Sequence, residues 1–554
     1  MEDLVVKSTS IVHPRNIANQ SVSDRVKKIN LTPWDLTRLR FGYPQRGLFF
    51  NKPDDSDIDT IISKLKASLS IALHHFYPLA GRLVKEVNQD DNTVSYFISC
   101  CDDDGSGSGG VKFVHAAAKT LAISDVKSGF VDGLLGSFFF PATGIKNYQG
   151  VSNPLLMVQV TEIKDGIFIS YGYNHTVADG KSIWKFINVW SEICFKGSGS
   201  VPMDLYLKGW FLDRIKYPIR VPDPETEQPS HVASTTSNTL QEIVFRLTKE
   251  NVLKLKAKAN DEALSREDGE ISSFQAVLGH IWRSRVKHGG MSREEETRCR
   301  VPIDMRQRLK PKQREDCFGN LVHTGIVTVK VGEMLDHGLG WLAQRINEMV
   351  RSQTDENVKA FGENWVKNAE IPVSVSTTLL VTSCPRFDVY GNDFGWGKPI
   401  GLRSGPPHSD GKLVVFQGVE DGGLEFQGYF PSQVVSPWEK EVYENAHGFF
   451  LSPASSDGGA ASSVGMHRTS SSEAVVSVVR PSRSGRTRDS VRRQCAVGYV
   501  VSLPLPVQRT SICDIFEAFS SVDVERVAVR DRPLESVAEK NHGWILRERF
   551  RSRE

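Results

Sequence analysis

Two runs rich in β-branched and aromatic residues, Val158 to Ile163 and Ile167 to Tyr173, stand on either side of Lys164-Asp165-Gly166. An Asp-Gly pair between such runs predicts a β-hairpin. The period then changes: Ile183, Phe186, Ile187, Trp190 and Ile193 recur at helical spacing, with Asp179 and Gly180 where the helix would begin. The stretch Tyr171-Gly-Tyr-Asn-His-Thr-Val-Ala-Asp-Gly180 therefore reads as a strand-to-helix turn with His175 inside it.

The same alternation of periods continues along the chain. Ile62, Leu65, Leu69 and Leu73 predict a helix over 59–73 that ends through Pro78 and Gly81, and strands are expected at Val94 to Ser99 and Val111 to Ala116. A polar, proline-bearing stretch from Pro222 to Asn238 has the composition of a crossover between domains. Beyond it, Val252, Leu255 and Ala259 mark one amphipathic helix, and Phe274, Val277, Leu278 and Ile281 mark another. Strand-like runs follow at 326–331, 379–382 and 412–417. This pattern divides the chain into an α/β domain over 1–200, a linker over 201–238, a second α/β domain over 239–436 and a tail over 437–554.

Composition narrows the class without naming a reaction. With 554 residues and 39% hydrophobic positions the chain can build two cores, and a net charge of +2 calls for neither nucleic acid nor an anionic membrane. There is no run of eighteen apolar residues, and the acidic pair Glu2-Asp3 stands where a secretory leader would be basic, so a cytoplasmic location is expected. The adjacent Cys100-Cys101 suits neither an ordinary disulfide nor a zinc knuckle, and the eight cysteines read as reduced thiols. The acidic loop 102–110 lacks the spaced ligands of a calcium site. Usage shifts in the tail: residues 1–436 hold 29 Lys and 22 Arg, whereas residues 471–554 hold 1 Lys and 14 Arg. Its arginines are interspersed with Val and Ser rather than gathered into a block, and the tail reads as largely disordered, from another origin.

Three readings of His175 and Asp179 compete on the residues themselves. Asp179 can simply cap the helix. As a metal pair they would need a helical segment and a third ligand, which the turn and the spacing deny, so no metal is expected. As chemistry, an imidazole at the end of a buried strand suits a general base.

Several separated motifs occur in one order: Leu31-Thr-Pro-Trp-Asp-Leu36, Phe76-Tyr-Pro-Leu-Ala-Gly-Arg-Leu83, His175-Thr-Val-Ala-Asp-Gly180, Val301-Pro-Ile-Asp-Met-Arg-Gln-Arg308, Cys317-Phe-Gly-Asn320 and Asp393-Phe-Gly-Trp-Gly397. In this the chain resembles the plant BAHD family of acyl-CoA-dependent acyltransferases over roughly residues 5 to 433, and in Glu363-Asn-Trp-Val-Lys-Asn368, Ser383-Cys-Pro-Arg-Phe-Asp-Val-Tyr390 and Asn392-Asp-Phe-Gly-Trp-Gly-Lys-Pro399 it is similar to a subgroup of uncharacterised plant acetyltransferases within it. The resemblance implies two similar chloramphenicol-acetyltransferase-like α/β domains, each with a mixed sheet flanked by helices, around a central substrate channel. It implies His175 as general base, with Asp179 turned away to pair with an arginine, for which Arg306 is the candidate. Asp393, Gly395, Trp396 and Gly397 are implied as structural support. The kinase reading of Asp-Phe-Gly fails because no phosphate loop or His-Arg-Asp motif accompanies it.

Thr382 stands eleven residues before Asp393, where hydroxycinnamoyl-transferring relatives place a Thr-Ser-Trp at the reaction centre; here it is Thr382-Ser-Cys384, so the indole is missing. The threonine is a candidate oxyanion donor. Lys256 and Lys258 are candidate partners for coenzyme A phosphates. The resemblance further implies acyl-CoA as co-substrate with no tightly bound cofactor, a small-molecule alcohol or amine as acceptor, and a monomer. A catalytically silent binding relative and a lyase on a conjugated metabolite are the alternatives, the latter needing no coenzyme A.

Overall fold

The computed structural model describes residues 4–15, 28–53, 57–100, 109–127, 133–197, 205–207, 214–226, 240–263, 269–371, 378–382, 385–406, 409–432 and 434–435, and four strands beyond them. The acidic loop and most of the expected crossover lie outside the described residues.

Residues 1–449 make one compact unit built on two six-stranded mixed sheets. The first runs in the order Leu4–Val12, Val111–Ala118, Leu156–Ile163, Gly166–Tyr173, Gln45–Asn51, Gly401–Ser404. The expected hairpin is there: Leu156–Ile163 and Gly166–Tyr173 pair antiparallel, with Ile163 opposite Gly166. The second runs in the order Val322–Lys330, Glu296–Asp304, Thr378–Thr382, Lys412–Gln417, Leu424–Pro431, Leu240–Leu247. A small third sheet, Lys28–Asn30, Thr93–Ser99 and Arg82–Asn88, lies in the first half.

The helices form where the apolar period required them. Ile58–His75 starts at Asp57, whose carboxylate accepts the Thr60 amide, and buries Ile62, Leu65, Leu69 and Leu73. It packs on Gly180–Lys196, and Trp190 of that helix donates its indole N–H to Ser68 at 3.1 Å, which satisfies the polar edge of a fully buried ring. In the second half, Ser272 and Gln275 close a capping box at the start of Ser273–His288. That helix buries Val277, Leu278, Ile281 and Trp282, and Trp282 donates to Thr297 at 3.0 Å.

One strand departs from the domain limits read on the sequence. Gly401–Ser404 falls within 239–436 yet pairs with Gln45–Asn51 as the edge of the first sheet. Leu402 is buried there, and Ser404 accepts a hydrogen bond from Arg46 at 2.8 Å. The preceding Asp393-Phe-Gly-Trp-Gly397 turn docks on the first half as well: the Phe394 ring lies 4.9 Å from Trp190 and 5.7 Å from Phe50. Residues of the second half thus complete the core of the first.

The tail forms a separate unit, residues 450–554, containing an antiparallel sheet in the order Gly498–Pro504, Glu473–Val479, Ser462–Arg468, Trp544–Glu548. The expectation of a largely disordered tail does not extend to these four strands. The valine-rich runs Glu473–Val479 and Gly498–Pro504 have the β-branched content that favours pairing, a signal that the Ser- and Arg-rich composition around them masked.

Phe394→Ala should lower the unfolding free energy by about 3–5 kcal/mol through the cavity left between the halves. Urea titration followed by tryptophan fluorescence checks this, and a midpoint equal to that of the unaltered chain would show that the turn does not bind the halves.

Candidate active site

His175 lies in the turn between the strand Gly166–Tyr173 and the helix Gly180–Lys196. Asp179 is the helix cap, and its Oδ1 accepts the Ser182 amide at 2.9 Å. Its side chain also meets Arg306, with Nη1 at 2.9 Å from Oδ2 and Nη2 at 3.2 Å from Oδ1, and both side chains are 0% exposed. The Leu321 amide supplies a further donor to Oδ2 at 3.1 Å. The remaining Arg306 donors go to Asp304, to the Ser182 hydroxyl and to the Cys317 carbonyl at 2.8 Å. A buried ion pair is favourable only when it is satisfied in this way. Despite burial, the Arg306 charge holds the Asp179 carboxyl below its ordinary range.

The turn is tied down by its backbone, which leaves the imidazole free for another task. Asn147 Oδ1 accepts the His175 amide at 2.8 Å, and the Asn320 side-chain amide donates to the His175 carbonyl at 2.6 Å and to Asp35 at 2.9 Å. Asp35 in turn accepts the amide and hydroxyl of Thr32 at 2.7 and 2.9 Å. Two of the separated motifs therefore meet beside the turn: Asp35 from the first half holds the Asn320 amide of the second, which donates to the His175 carbonyl. Asn174 adds bonds to Tyr43 at 3.0 Å and to the Asn147 carbonyl at 2.7 Å.

The imidazole itself is partly exposed at the seam between the halves. Its Nδ1 is buried and makes no hydrogen bond of good geometry. Burial, and next the charge of Arg38, push its pKa down to about 4, against weak support for the protonated form from the backbone of His175 and Ala178. A folded-state pKa below the unfolded one means that the ring is neutral above about pH 5. A neutral imidazole can accept a proton at pH 7.

The other expected residues fall in different places. Thr382 ends the strand Thr378–Thr382, partly exposed, and its hydroxyl donates to the Leu413 carbonyl over a long 3.4 Å. Asp393 accepts the amides of Gly395 and Gly397 at 2.8 and 3.1 Å, and both glycines take positive φ, +103° and +104°, so the carboxylate is spent on its own turn. Trp396 stacks on Phe394 at 5.7 Å. The turn packs beside Trp190, near the far end of the helix from His175. Lys256 and Lys258 are on the helix Lys249–Asp261, where Lys256 pairs with Glu270 at 2.8 Å and Lys258 stands 3.9 Å from Glu262.

Sequence reasoning assigned no role to Arg38, Asn147, Asn174, Asn320 or His323. Asn320 lay in a noted motif, and Arg38 closely follows another, but their use depends on contacts across the seam.

A family model for the Transferase family matches residues 5–445. The chain belongs to the plant BAHD acyltransferases. It is 61% identical over 452 residues to the Arabidopsis thaliana protein Enhanced Pseudomonas Susceptibility 1, covering 80% of this chain and 99% of that relative. It is 45% identical over 447 residues to an uncharacterized acetyltransferase of the same plant, covering 78% and 97%. Among solved structures, vinorine synthase superposes with a TM-score of 0.60 at 21% identity over 80% of this chain and 98% of its own. A Fusarium graminearum TRI101 complexed with coenzyme A and T-2 mycotoxin gives 0.59 at 17% identity over 75% and 99%. The fold is thus that of BAHD and chloramphenicol-acetyltransferase-like enzymes, and the chain is an acyltransferase. No helix among the described residues of this BAHD chain is long and apolar enough to cross a membrane.

Asp179→Ala should cost roughly 3–5 kcal/mol because it strands the Arg306 charge in the interior, and adding Arg306→Leu should recover part of the loss. Denaturant titration of the two variants checks this; an Asp179→Ala chain as stable as the parent would show that the pair does not hold the loop.

Proposed function

We propose that this acyltransferase moves an acyl group, acetyl or another, from acyl-CoA to a hydroxyl or an amine of a small plant metabolite, with His175 as general base. The observation that carries this reading is a partly exposed imidazole whose backbone is held from both halves, by Asn147 at its amide and Asn320 at its carbonyl. An alcohol is a poor nucleophile at neutral pH. Nε2 takes the hydroxyl proton as the acceptor oxygen attacks the thioester carbonyl, and the tetrahedral intermediate collapses by breaking the C–S bond. The leaving thiolate then regains the proton from the imidazolium. No covalent acyl-enzyme forms.

Asp179 acts through position, fixing the loop rather than polarising the ring, since its oxygens are committed to Arg306 and to backbone amides. Thr382 is a candidate donor to the oxyanion, at the expense of its long bond to Leu413. Lys256 and Lys258 are candidate coenzyme phosphate partners, because ion pairs of the exposed kind they make are worth little and exchange readily. Asp393, Gly395, Trp396 and Gly397 support the packing of the halves. A monomer working in the cytoplasm, with acyl-CoA as a dissociable co-substrate, completes the reading.

Free-thiol release from a panel of acyl-CoAs with pooled plant phenolic and aliphatic alcohols tests it. Acceptor-dependent release should fall by roughly 10² to 10⁴ in His175→Ala. Equal release from the parent and the variant, or none from a folded chain that binds coenzyme A, would overturn it.

A further inference from the structure

The helix Pro33–Leu36 has a single turn, too short to hold its shape without packing. Its packing is divided between the two cores. Leu31, Leu36 and Leu39 are buried in the core of the first half, whereas Trp34 is buried in that of the second. Among the described buried residues of that second core, Trp34 alone comes from before residue 240. Its ring lies 5.9 Å from Phe361 of the helix Asp355–Lys367 and edge-on to His323, and its indole N–H donates to His323 Nδ1 at 3.0 Å. An indole nitrogen only donates, so His323 Nδ1 carries no proton and the ring is neutral. Burial, and next the charge of Arg38, keep it so by bringing its pKa down to about 4. Arg38 adds a second tie to the same strand, donating to Thr324 at 3.3 Å.

The segment that carries Trp34 also holds both ends of His175. Asp35, the next residue, accepts from Asn320 Nδ2 at 2.9 Å, and the same nitrogen donates to the His175 carbonyl at 2.6 Å. Asp35 is itself fixed by the amide and hydroxyl of Thr32. On the other side, Asn147 Nδ2 donates to the Arg38 carbonyl at 2.8 Å while its Oδ1 accepts the His175 amide at 2.8 Å. The backbone of Asn147 is held by this region too: its amide donates to the Phe41 carbonyl, and the Tyr148 amide to the Leu39 carbonyl, both at 2.9 Å. A primary amide offers two donors and an acceptor in one rigid plane. Two such planes therefore transfer the placement of residues 35–38 to the backbone of His175.

We propose that Trp34 is a positioning residue for His175, seating the segment 32–39 on the second half so that Asp35 meets Asn320 and the imidazole is in register only while the two halves are joined. Trp34 lies in the core and acts at a distance, through Asp35 and Asn320. Asn320 belongs to the second half and Asn147 to the first, so the two ends of His175 follow different halves unless the segment ties them together. Joining of the halves and placement of the base are thereby one event, and a small slip of the segment is felt at the reacting atoms.

Its kinetic test rests on the transfer reading above, but its first test needs no turnover. Trp34→Phe keeps an apolar ring in the core and removes the N–H that His323 accepts. In an NMR titration of the full chain it should move the His175 ring resonances and raise their midpoint from about 4 toward the ordinary value of about 6.5, because a loosened turn is better solvated. Phe394→Ala, which loosens the core near the other end of the helix Gly180–Lys196, should leave those resonances in place. In an Asn320→Ala background Trp34→Phe should have no further effect on them, since the path is already cut. In the acyl-CoA assay kcat of Trp34→Phe should fall roughly ten- to a hundredfold with KM for acyl-CoA nearly unchanged. Unmoved His175 resonances in a folded Trp34→Phe chain, an equal shift in Phe394→Ala, or independent effects of the Trp34 and Asn320 substitutions would overturn the proposal. So would an unchanged kcat in a chain that transfers acyl groups. Shifted resonances with no acyl release from any chain would uphold the positioning role and overturn the transfer reading instead.

Discussion

The Asp179–Arg306 pair is the constraint on which the site depends. Its members come from different halves of the chain, lie wholly buried and leave hardly a hydrogen-bonding group unused. Such a pair is a poor stabiliser when incomplete and a strict positioning device when complete. Because Asp179 also caps the helix Gly180–Lys196, the pair sets where that helix begins and hence where the turn before it must run. His175 then needs only its amide and carbonyl anchored, by Asn147 and Asn320, for its ring to be held in place.

Charge is handled in two ways within a short distance. Behind the turn Asp179 and Arg306 satisfy one another, which makes that region rigid. In front of it Arg38, Arg46 and Arg300 have no carboxylate within ion-pair distance among the described residues, and the charge of Arg38 adds to burial in lowering the pKa of the His175 ring.

Much of this was legible in the sequence because it follows local rules. The change of period from the Ile167 to Tyr173 run to the Ile183 to Ile193 helix put His175 at a strand-to-helix turn, and the structure shows that turn. Arg306 was named as the partner for Asp179 by family likeness, and the two are in contact. What escaped were contacts with no local signature. The Asp35–Asn320 clamp joins positions 285 residues apart, and the crossing of Gly401–Ser404 into the first sheet depends on the seam being closed already. Arg38 and Arg300 looked like ordinary arginines, since a sequence does not show which charges will find a counter-ion. In the tail, serine-rich composition concealed paired valines in segments that form strands.

The most direct measurement is an NMR titration of the His175 imidazole in the chain without substrate, assigned by comparison with His175→Ala. A ring held neutral by burial and by Arg38 should titrate near 4 and move upward in Arg38→Gln. A midpoint near the ordinary histidine value of about 6.5, insensitive to Arg38→Gln, would mean that His175 is an exposed surface histidine and that the electropositive seam does not govern it.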